Sequence, residues 1–282
     1  MTTSIQIGTM KITALDDGES HMPPMLYPGL DFDAHPELLE SDGTYHIPGA
    51  CYLIQGEGVT VLVDAGSGPD SIPFPAELAA AAGLAPAPEF ISVGGRLPGR
   101  LAALGVPPED VSTVFLTHLH GDHVGWVAPG GKPFFPNAEV VYGAADWDAL
   151  IASAPAEDPA RTTMEAAEAA GVLRAIEAPT VEIAPGVTAH HTPGHTPGHY
   201  AVRVASGGQE AYLLGDAVHH PLQLNDTGIS FLFDADAQHA LRTREELLAQ
   251  FADSGAAIGI SHFPGLAFQR VSAQDGRKWT EV

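Results

Sequence analysis

The chain has 282 residues, 45% of them hydrophobic, enough to bury a sizeable core. Its formal net charge is −23, with three lysines (Lys11, Lys132 and Lys278) among 12 basic residues, which sets most of the surface against a phosphate backbone and so excludes nucleic acid as the expected partner. A single cysteine, Cys51, excludes an intrachain disulfide and a multi-cysteine zinc site; with no run near the roughly 18 apolar residues of a membrane span and no secretion signal over residues 1–6, the expectation is a cytoplasmic protein without membrane contact.

In chain order, Ile5 to Leu15 alternate about Gly8-Thr9 as a strand pair, and Asp16-Asp17-Gly18 reads as a turn. Residues 21–48 are proline-rich and irregular: either a loop packed over the domain or a lid beside a pocket. The apolar side chains from Met22 to Leu30 also offer a surface through which two copies could pair as a homodimer. A hairpin follows, Ala50 to Ile54 and Val59 to Val63 about Gly56-Glu57-Gly58, with Cys51 read as a buried small hydrophobe. Its second strand ends in Asp64, which either starts a turn or braces a nearby loop. Residues 67–99 read as a long functional loop with little regular structure, and a helix is expected from Arg100 to Leu104.

The apolar run Val114-Phe115-Leu116 then leads into Thr117-His118-Leu119-His120-Gly121-Asp122-His123. Four potential metal ligands within six residues, three of them imidazoles, are hard to explain by packing. In an extended segment His118 and His120 share a face, leaving Asp122 and His123 to turn toward a neighbouring position, so one loop can serve two metal ions. Beyond it, Glu139 to Tyr142 reads as a strand, Ala144 to Ala152 and Arg161 to Ala170 as helices, and Val181 to Ile183, Tyr200 to Val204 and Ala211 to Leu214 as strands. Ala237 to Phe251 has helical spacing, and Ala257 to Ser261 reads as a final short strand. No repeat or linker divides the chain, so residues 1–282 are expected to form a single domain.

Three further chemical groups fall at strand ends: His195 in Thr192-Pro193-Gly194-His195-Thr196-Pro197-Gly198-His199, Asp216 after Leu213-Leu214-Gly215, and His262 after Gly259-Ile260-Ser261. Each alone is an ordinary turn or core residue; together, after an H-x-H-x-D-H loop, they form an ordered set. That set, Asp64, His118-x-His120-x-Asp122-His123, His195, Asp216 and His262, resembles the motif series of the metallo-β-lactamase superfamily over nearly the whole chain. The resemblance implies an α+β fold, the four-layer αβ/βα sandwich, with a metal cleft at one edge of two facing sheets. It implies His118, His120 and His195 on one metal, Asp122, His123 and His262 on a second, Asp216 bridging, and Asp64 bracing the loop from behind.

Two divalent ions could share a hydroxide and polarise a carbonyl or phosphoryl oxygen, which makes hydrolysis the expected outcome, with Asp122 passing a proton to the leaving group. Nitrogen and oxygen ligands without thiolate favour zinc, with Mn, Co or Fe compatible.

Within the superfamily, β-lactamases lack a bridging aspartate at the place of Asp216, and flavin-linked di-iron members place a glutamate where His120 stands. Glyoxalase II-like thioesterases usually continue the first motif with two glycines, where this chain has Gly125-Trp126. N-acyl-homoserine lactonases typically carry a tyrosine where this chain has His219. The segments Gly215 to His219, Phe231 to Asp236, Phe251 to Asp253 and Ser261 to Gly265 are similar to methyl parathion hydrolase and its lactonase and arylesterase relatives. The expectation is therefore a binuclear metal-dependent hydrolase of small uncharged esters, foremost a lactonase. The runner-up is an organophosphate triester hydrolase, and a non-catalytic metal-binding module is the alternative of another class. Trp126, Phe231 and Phe233 either line an apolar substrate pocket or belong to the core. His219 either meets the developing oxyanion or supports Asp216.

Overall fold

The computed structural model describes residues 2–252, 254–272 and 278–282. Alternating apolar residues build β1 (Thr2–Ile7), β2 (Met10–Met22), β3 (Tyr45–Gly56) and β4 (Val59–Val63) as antiparallel neighbours. β5 (Ile72–Pro73), α1 (Ala76–Ala81) and β6 (Phe90–Val93) lead to α2 (Leu97–Ala103), which crosses over to β7 (Thr113–Phe115). After the single turn α3 (Gly121–Val124) come β8 (Glu139–Gly143), α4 (Pro159–Ala169) and β9 (Leu173–Ile176). β4, β7, β8 and β9 run parallel, which requires crossovers, and α2 and α4 supply two of them. Among the described residues this first sheet has nine strands, ordered β5-β6-β2-β3-β4-β7-β8-β9 with β1 alongside β2.

The second sheet is formed by β10 (Thr180–Ala184), β11 (Val187–His191), β12 (Tyr200–Ser206), β13 (Gln209–Leu213), then, after α5 (Ala237–Phe251), β14 (Ala257–Gly259), β15 (Gln269–Ser272) and β16 (Lys278–Glu281). They lie in sequence order, and only β13 and β14 are parallel, across the α5 connection.

Strand alternation sorts the core into layers. Ile12, Ala14, Tyr52, Val63 and Phe115 face Val187, Ala189, Tyr200, Val202 and Leu213 between the sheets. The opposite faces of the same strands, with Leu15, Cys51, Leu62 and Val114, pack on Leu97, Leu101 and Met164 of α2 and α4. Leu247, Leu248 and Phe251 of α5 cover Tyr212 and Ile258 outside the second sheet. Helices, sheet, sheet and helix give the expected α+β four-layer sandwich. Among the described residues no helix is long and apolar enough to cross a membrane.

Several local expectations are corrected. Asp16-Asp17-Gly18 is not a turn: β2 runs through it with a register shift, and the bulge turns Asp17 inward. There its carboxylate accepts from Leu97 N at 2.8 Å, Trp126 Nε1 at 2.9 Å and Gly68 N at 3.1 Å. Residues 67–99 are not structureless but hold β5, α1, β6 and the start of α2; their brevity between Pro and Gly hides the periodicity. The Ala144 to Ala152 helix is a wide π-helical turn over Trp147–Ala152. Ala257 to Ser261 is not the final strand, since β15 and β16 follow, and β9 and β11 are likewise too short or too polar to announce themselves.

The Met22 to Leu30 segment is not an exposed apolar surface. Leu26 and Tyr27 are buried with Tyr45, Ile47 and Phe231 in a fourth cluster, and of the large apolar side chains in the segment Met25 alone is well exposed, at 44%. The reason for expecting a dimer contact there is gone.

β8 ends against the loop that precedes β12. A Cβ on Gly143 would lie 2.0 Å from the Gly198 carbonyl oxygen, and backbone cannot give way as a flexible side chain does. Gly143→Ala is expected to lower stability by about 1–3 kcal/mol, read as a reduced urea midpoint with unchanged slope; an unchanged midpoint would show that the two segments tolerate separation.

Candidate metal centre

The site lies where the carboxyl ends of β4, β7, β13 and β14 meet at one edge of the two sheets. Asp64 follows β4 with a left-handed φ of 61°, a conformation Asp tolerates better than most side chains. This turns its carboxylate across the end of β7, where it accepts from Thr117 N at 2.8 Å and from Thr117 Oγ1 at 3.0 Å. Its other oxygen lies 3.0 Å from His123 Nδ1. Asp64 therefore clasps the histidine loop at both ends.

His118 and His120 share a face, as the alternation requires. His118 Nε2, His120 Nδ1 and His195 Nε2 form a triangle with edges of 3.0, 3.0 and 3.2 Å. A tetrahedral zinc ion with nitrogen at roughly 2.0–2.1 Å spaces its donors about 3.3 Å apart, so these three nitrogens fit one divalent cation. Asp122, His123 and His262 make a second, looser group: Asp122 Oδ2 is 3.8 Å from His123 Nε2 and 3.7 Å from His262 Nε2. Asp216 stands between them. Its Oδ2 lies 3.5 Å from His195 Nε2 and 3.2 Å from His262 Nε2, and its Oδ1 lies 3.3 Å from His123 Nε2. Both His123 nitrogens and Asp216 Oδ1 are buried without a well-directed hydrogen bond among the described residues, because their close partners lie off the bonding direction. Buried polar atoms facing one another without satisfaction are what a cation site leaves when only the protein is considered.

At the first group and at Asp216 protonation favours the same use, whereas at His123 and His262 burial is outweighed by the neighbouring carboxylates, Asp216 foremost, which raise the imidazoles above their ordinary value. Burial alone would raise the Asp216 carboxyl, but His262, His123, His219 and His118 hold it well below the usual carboxylate range. Burial, then His123 for His118 and His120 for His195, push those two imidazoles well below their ordinary value. Neutral imidazole and ionised carboxylate are the ligand forms.

The outer ring atoms are engaged by groups the sequence reading does not single out. His195 Nδ1 lies 3.1 Å from Asp234 Oδ1, and the buried Arg244 guanidinium of α5 is 3.6 Å from Asp234 Oδ2. His262 Nδ1 donates to the Pro48 carbonyl oxygen at 2.7 Å. Thr117, whose hydroxyl donates to Asp64, has its oxygen 3.1 Å from His118 Nδ1 and can accept from it. Each contact puts the proton on the outer nitrogen and leaves the inner lone pair facing the cleft. Asp146 joins the second loop: it accepts from Gly198 N at 2.6 Å and Thr196 Oγ1 at 2.9 Å, while burial pushes its carboxyl up to about 6 against those hydrogen bonds. His199 accepts from Asp216 N at 3.1 Å, and burial, then His195, hold its ring neutral, at about 3.

His120, Asp122, Asp216, His219 and His262 floor a cavity of about 800 Å³. Phe231 and Phe233 form part of its wall, as do Met22, Ile47 and Ile72. Trp126 does not: it is 8% exposed within the core under the first sheet, with its indole N–H held by Asp17. An aromatic residue just after a ligand loop can turn to either side, and the buried Asp17 acceptor decides this one. His219 Nε2 lies 3.1 Å from Asp216 Oδ2, with its ring 4.2 Å from that of Phe231. Among the described lining residues there is no lysine or arginine, whereas Asp70 and Asp158 add negative charge.

A family model described as the metallo-beta-lactamase superfamily matches residues 45–262. N-acyl homoserine lactonase AiiB of Agrobacterium fabrum is 43% identical over 86 residues, which are 30% of this chain and 31% of the relative, so the match spans about a third of that protein's length. Among solved structures, hydrolase AbOPH of the beta lactamase superfamily is 24% identical with a TM-score of 0.80, over 100% of this chain and 96% of that one. AidC, a dizinc quorum-quenching lactonase solved with a product, is 23% identical with a TM-score of 0.78, over 99% and 96% of the two chains.

Asp234→Asn keeps the size of the side chain but removes the charge shared by His195 and Arg244. Metal affinity is expected to fall about 10- to 100-fold, read by competition with a chromophoric chelator. Wild-type affinity in a folded Asp234→Asn protein would separate Asp234 from the centre.

Proposed function

The chain belongs to the metallo-β-lactamase superfamily, and from that premise we propose that it is a binuclear metal-dependent hydrolase of small uncharged esters, foremost lactones. The observation that carries this reading is the convergence of seven imidazole and carboxylate side chains, four of which (His120, Asp122, Asp216 and His262) reach the floor of a cavity whose described lining has no lysine or arginine. In this reading His118, His120 and His195 would hold one cation and Asp122, His123 and His262 the other, with Asp216 placed between the two groups. When bound, a pair of divalent cations, zinc by donor type, supplies Lewis acidity toward a carbonyl oxygen and lowers the pKa of water.

The remaining work belongs to the chain. Asp122, on the first turn of α3 at the cavity floor, takes a proton from the nucleophilic water and returns it to the leaving alkoxide. His219 orients Asp216 through Nε2 and is near enough to the floor to meet oxygen charge that develops on the substrate. Phe231, Phe233 and the aliphatic wall exclude water from an acyl or alkyl group, and about 800 Å³ lies within the range of small-molecule sites. Asp70 and Asp158 oppose anionic substrates, which argues against phosphomonoesters and carboxylate-bearing ligands. The lactonase AiiB supports the choice of lactones over other uncharged esters. We read the chain as acting in the cytoplasm as one domain.

The test is a panel of neutral lactones, a phenyl ester and a phosphotriester, assayed with metal-replete protein and read against metal content. Lactones are expected to give the highest kcat/KM, and a carboxylate-bearing lactone at least about tenfold less than its methyl ester, a difference of about 1.4 kcal/mol. Preference for the phosphotriester would move the assignment to organophosphate hydrolysis; no turnover of any member with both ions bound would favour a binding module. Asp216→Ala is expected to lose at least one ion, and retention of two would remove it from the shared position. His219→Phe should lower kcat on lactones about 100-fold, and full turnover would take it out of the mechanism.

A further inference from the structure

A second group of metal-type side chains lies apart from the cleft. His21 on β2 and His46 on β3 are register partners across the two strands, and their rings stack with centroids 3.9 Å apart and planes 8° from parallel. Ser20, Met22 and Ile47, the neighbours of these histidines, line the cavity. Strand alternation therefore puts His21 and His46 on the opposite face. Asp42, from the turn before β3, completes the group: its Oδ2 lies 3.1 Å from His46 Nε2 and 3.9 Å from His21 Nδ1. Asp42 is itself held in place, accepting from Thr44 N at 2.9 Å and Thr44 Oγ1 at 2.6 Å through Oδ1, which leaves Oδ2 for the two rings.

We propose that His21, Asp42 and His46 form a separate site for a first-row divalent cation of the zinc or nickel type. One nitrogen of each ring and one oxygen of Asp42 lie within 4.8 Å of one another, so modest side-chain rotations bring them to the roughly 3.3 Å spacing of a tetrahedral site. Both nitrogens of His21 are shielded from solvent yet have no hydrogen-bond partner among the described residues. Stacking explains the ring planes but satisfies neither nitrogen, and the nearest carboxylate oxygen is beyond hydrogen-bond reach at 3.9 Å. His46 Nε2 donates to Asp42 Oδ2 at 3.1 Å and leaves His21 unmet, whereas a cation would take a lone pair from each ring and from Asp42 Oδ2 together. Two imidazoles and one carboxylate suit zinc, nickel or copper(II) better than calcium or magnesium, and three protein donors leave room for water.

The consequence is positional. Asp42 belongs to the irregular strap of residues 23–44, whose Tyr27 packs on the cavity wall residue Phe231 with ring centroids 5.0 Å apart. A cation on His21, Asp42 and His46 ties the end of that strap to β2 and β3, so the site is structural and acts on the cavity wall from outside.

The experiment compares full-length wild type with His21→Gln and Asp42→Asn. Each is equilibrated with zinc, and bound zinc per folded chain is measured by mass spectrometry of the metal; hydrogen exchange is followed over residues 39–46 with and without zinc. Wild type is expected to hold one more zinc ion than either variant, and zinc is expected to slow exchange over 39–46 about tenfold in wild type and in neither of these two variants. Equal zinc content in wild type and a folded His21→Gln would overturn the proposal, as would zinc-independent exchange over 39–46 in wild type. The count is a difference between proteins with the same cleft. Asp216→Ala, which alters only the cleft, is expected to keep the zinc effect on 39–46, so failure of the hydrolase reading and failure of this site give different results.

Discussion

Asp216 is a buried carboxylate with imidazoles on every side that faces the cleft, and the geometry of both sheets converges on keeping it there. An ionised carboxylate out of water is costly unless positive charge or directed donors surround it. Nitrogens from separate layers surround it, His123 and His118 from the loop after β7, His195 from the loop before β12 and His262 after β14; where their inner lone pairs face the carboxylate, the positive charge that offsets its burial would be that of the cations these residues would hold. From behind, the Asp216 amide is held by His199. The strand end can turn this sharply because residue 215 is glycine, with φ of 52°; a Cβ there would meet His199 Nε2 and Thr117 Cβ, each at 2.8 Å.

Because so many imidazole nitrogens crowd one volume, orientation rather than ligand identity limits the site. A neutral histidine has one nitrogen that donates and one that accepts, and only the accepting one can hold a cation. The fold settles that choice by placing an acceptor behind several rings: Asp234 behind His195, the Pro48 carbonyl behind His262, and the Thr117 hydroxyl, itself committed to Asp64, behind His118. These acceptors come from a loop before α5, from β3 and from the end of β7. The centre and the sandwich are thus coupled: separating the sheets would release tautomers as well as apolar area. Arg244 extends the coupling into α5, since its buried guanidinium faces Asp234 and also donates to the Ala217 carbonyl at 3.3 Å, one residue beyond Asp216.

What was legible in the sequence follows from how local each signal is. The H-x-H-x-D-H loop is readable because strand alternation and a following turn fix which side chains share a face, and Asp216 and His262 become readable once their strand-end positions are taken together. The helix Ala237–Phe251 and the hairpin about Gly56 and Gly58 are visible for the same reason. Asp17 is different: a bulge and a turn share the same Asp-Asp-Gly chemistry, and only pairing with β3 on one side and β6 on the other distinguishes them. Asp146, Asp234 and Arg244 leave no local trace, because each acts through a partner distant in the chain. Trp126 follows the same rule: its sequence position suits pocket or core equally, and the distant Asp17 acceptor holds it in the core.

The irregular strap joins these themes. Its residues 26–30 run beside the loop of residues 228–232, with Ser230 N donating to the Pro28 carbonyl at 2.9 Å and Leu232 N to the Leu26 carbonyl at 2.9 Å. Phe231 is therefore gripped on three sides: Tyr27 of the strap at 5.0 Å, His219 at 4.2 Å and Phe233 at 5.3 Å between ring centroids. A side chain fixed in this way transmits position, since packed aromatic rings have few alternative arrangements. The strap touches the cavity wall rather than the candidate ligands, so its sequence can vary the shape offered to a substrate while leaving the Asp216 cluster intact. That separation, a rigid centre at the strand ends and a wall borne on an irregular segment, lets the shape of the cavity change without rebuilding the cluster beneath it.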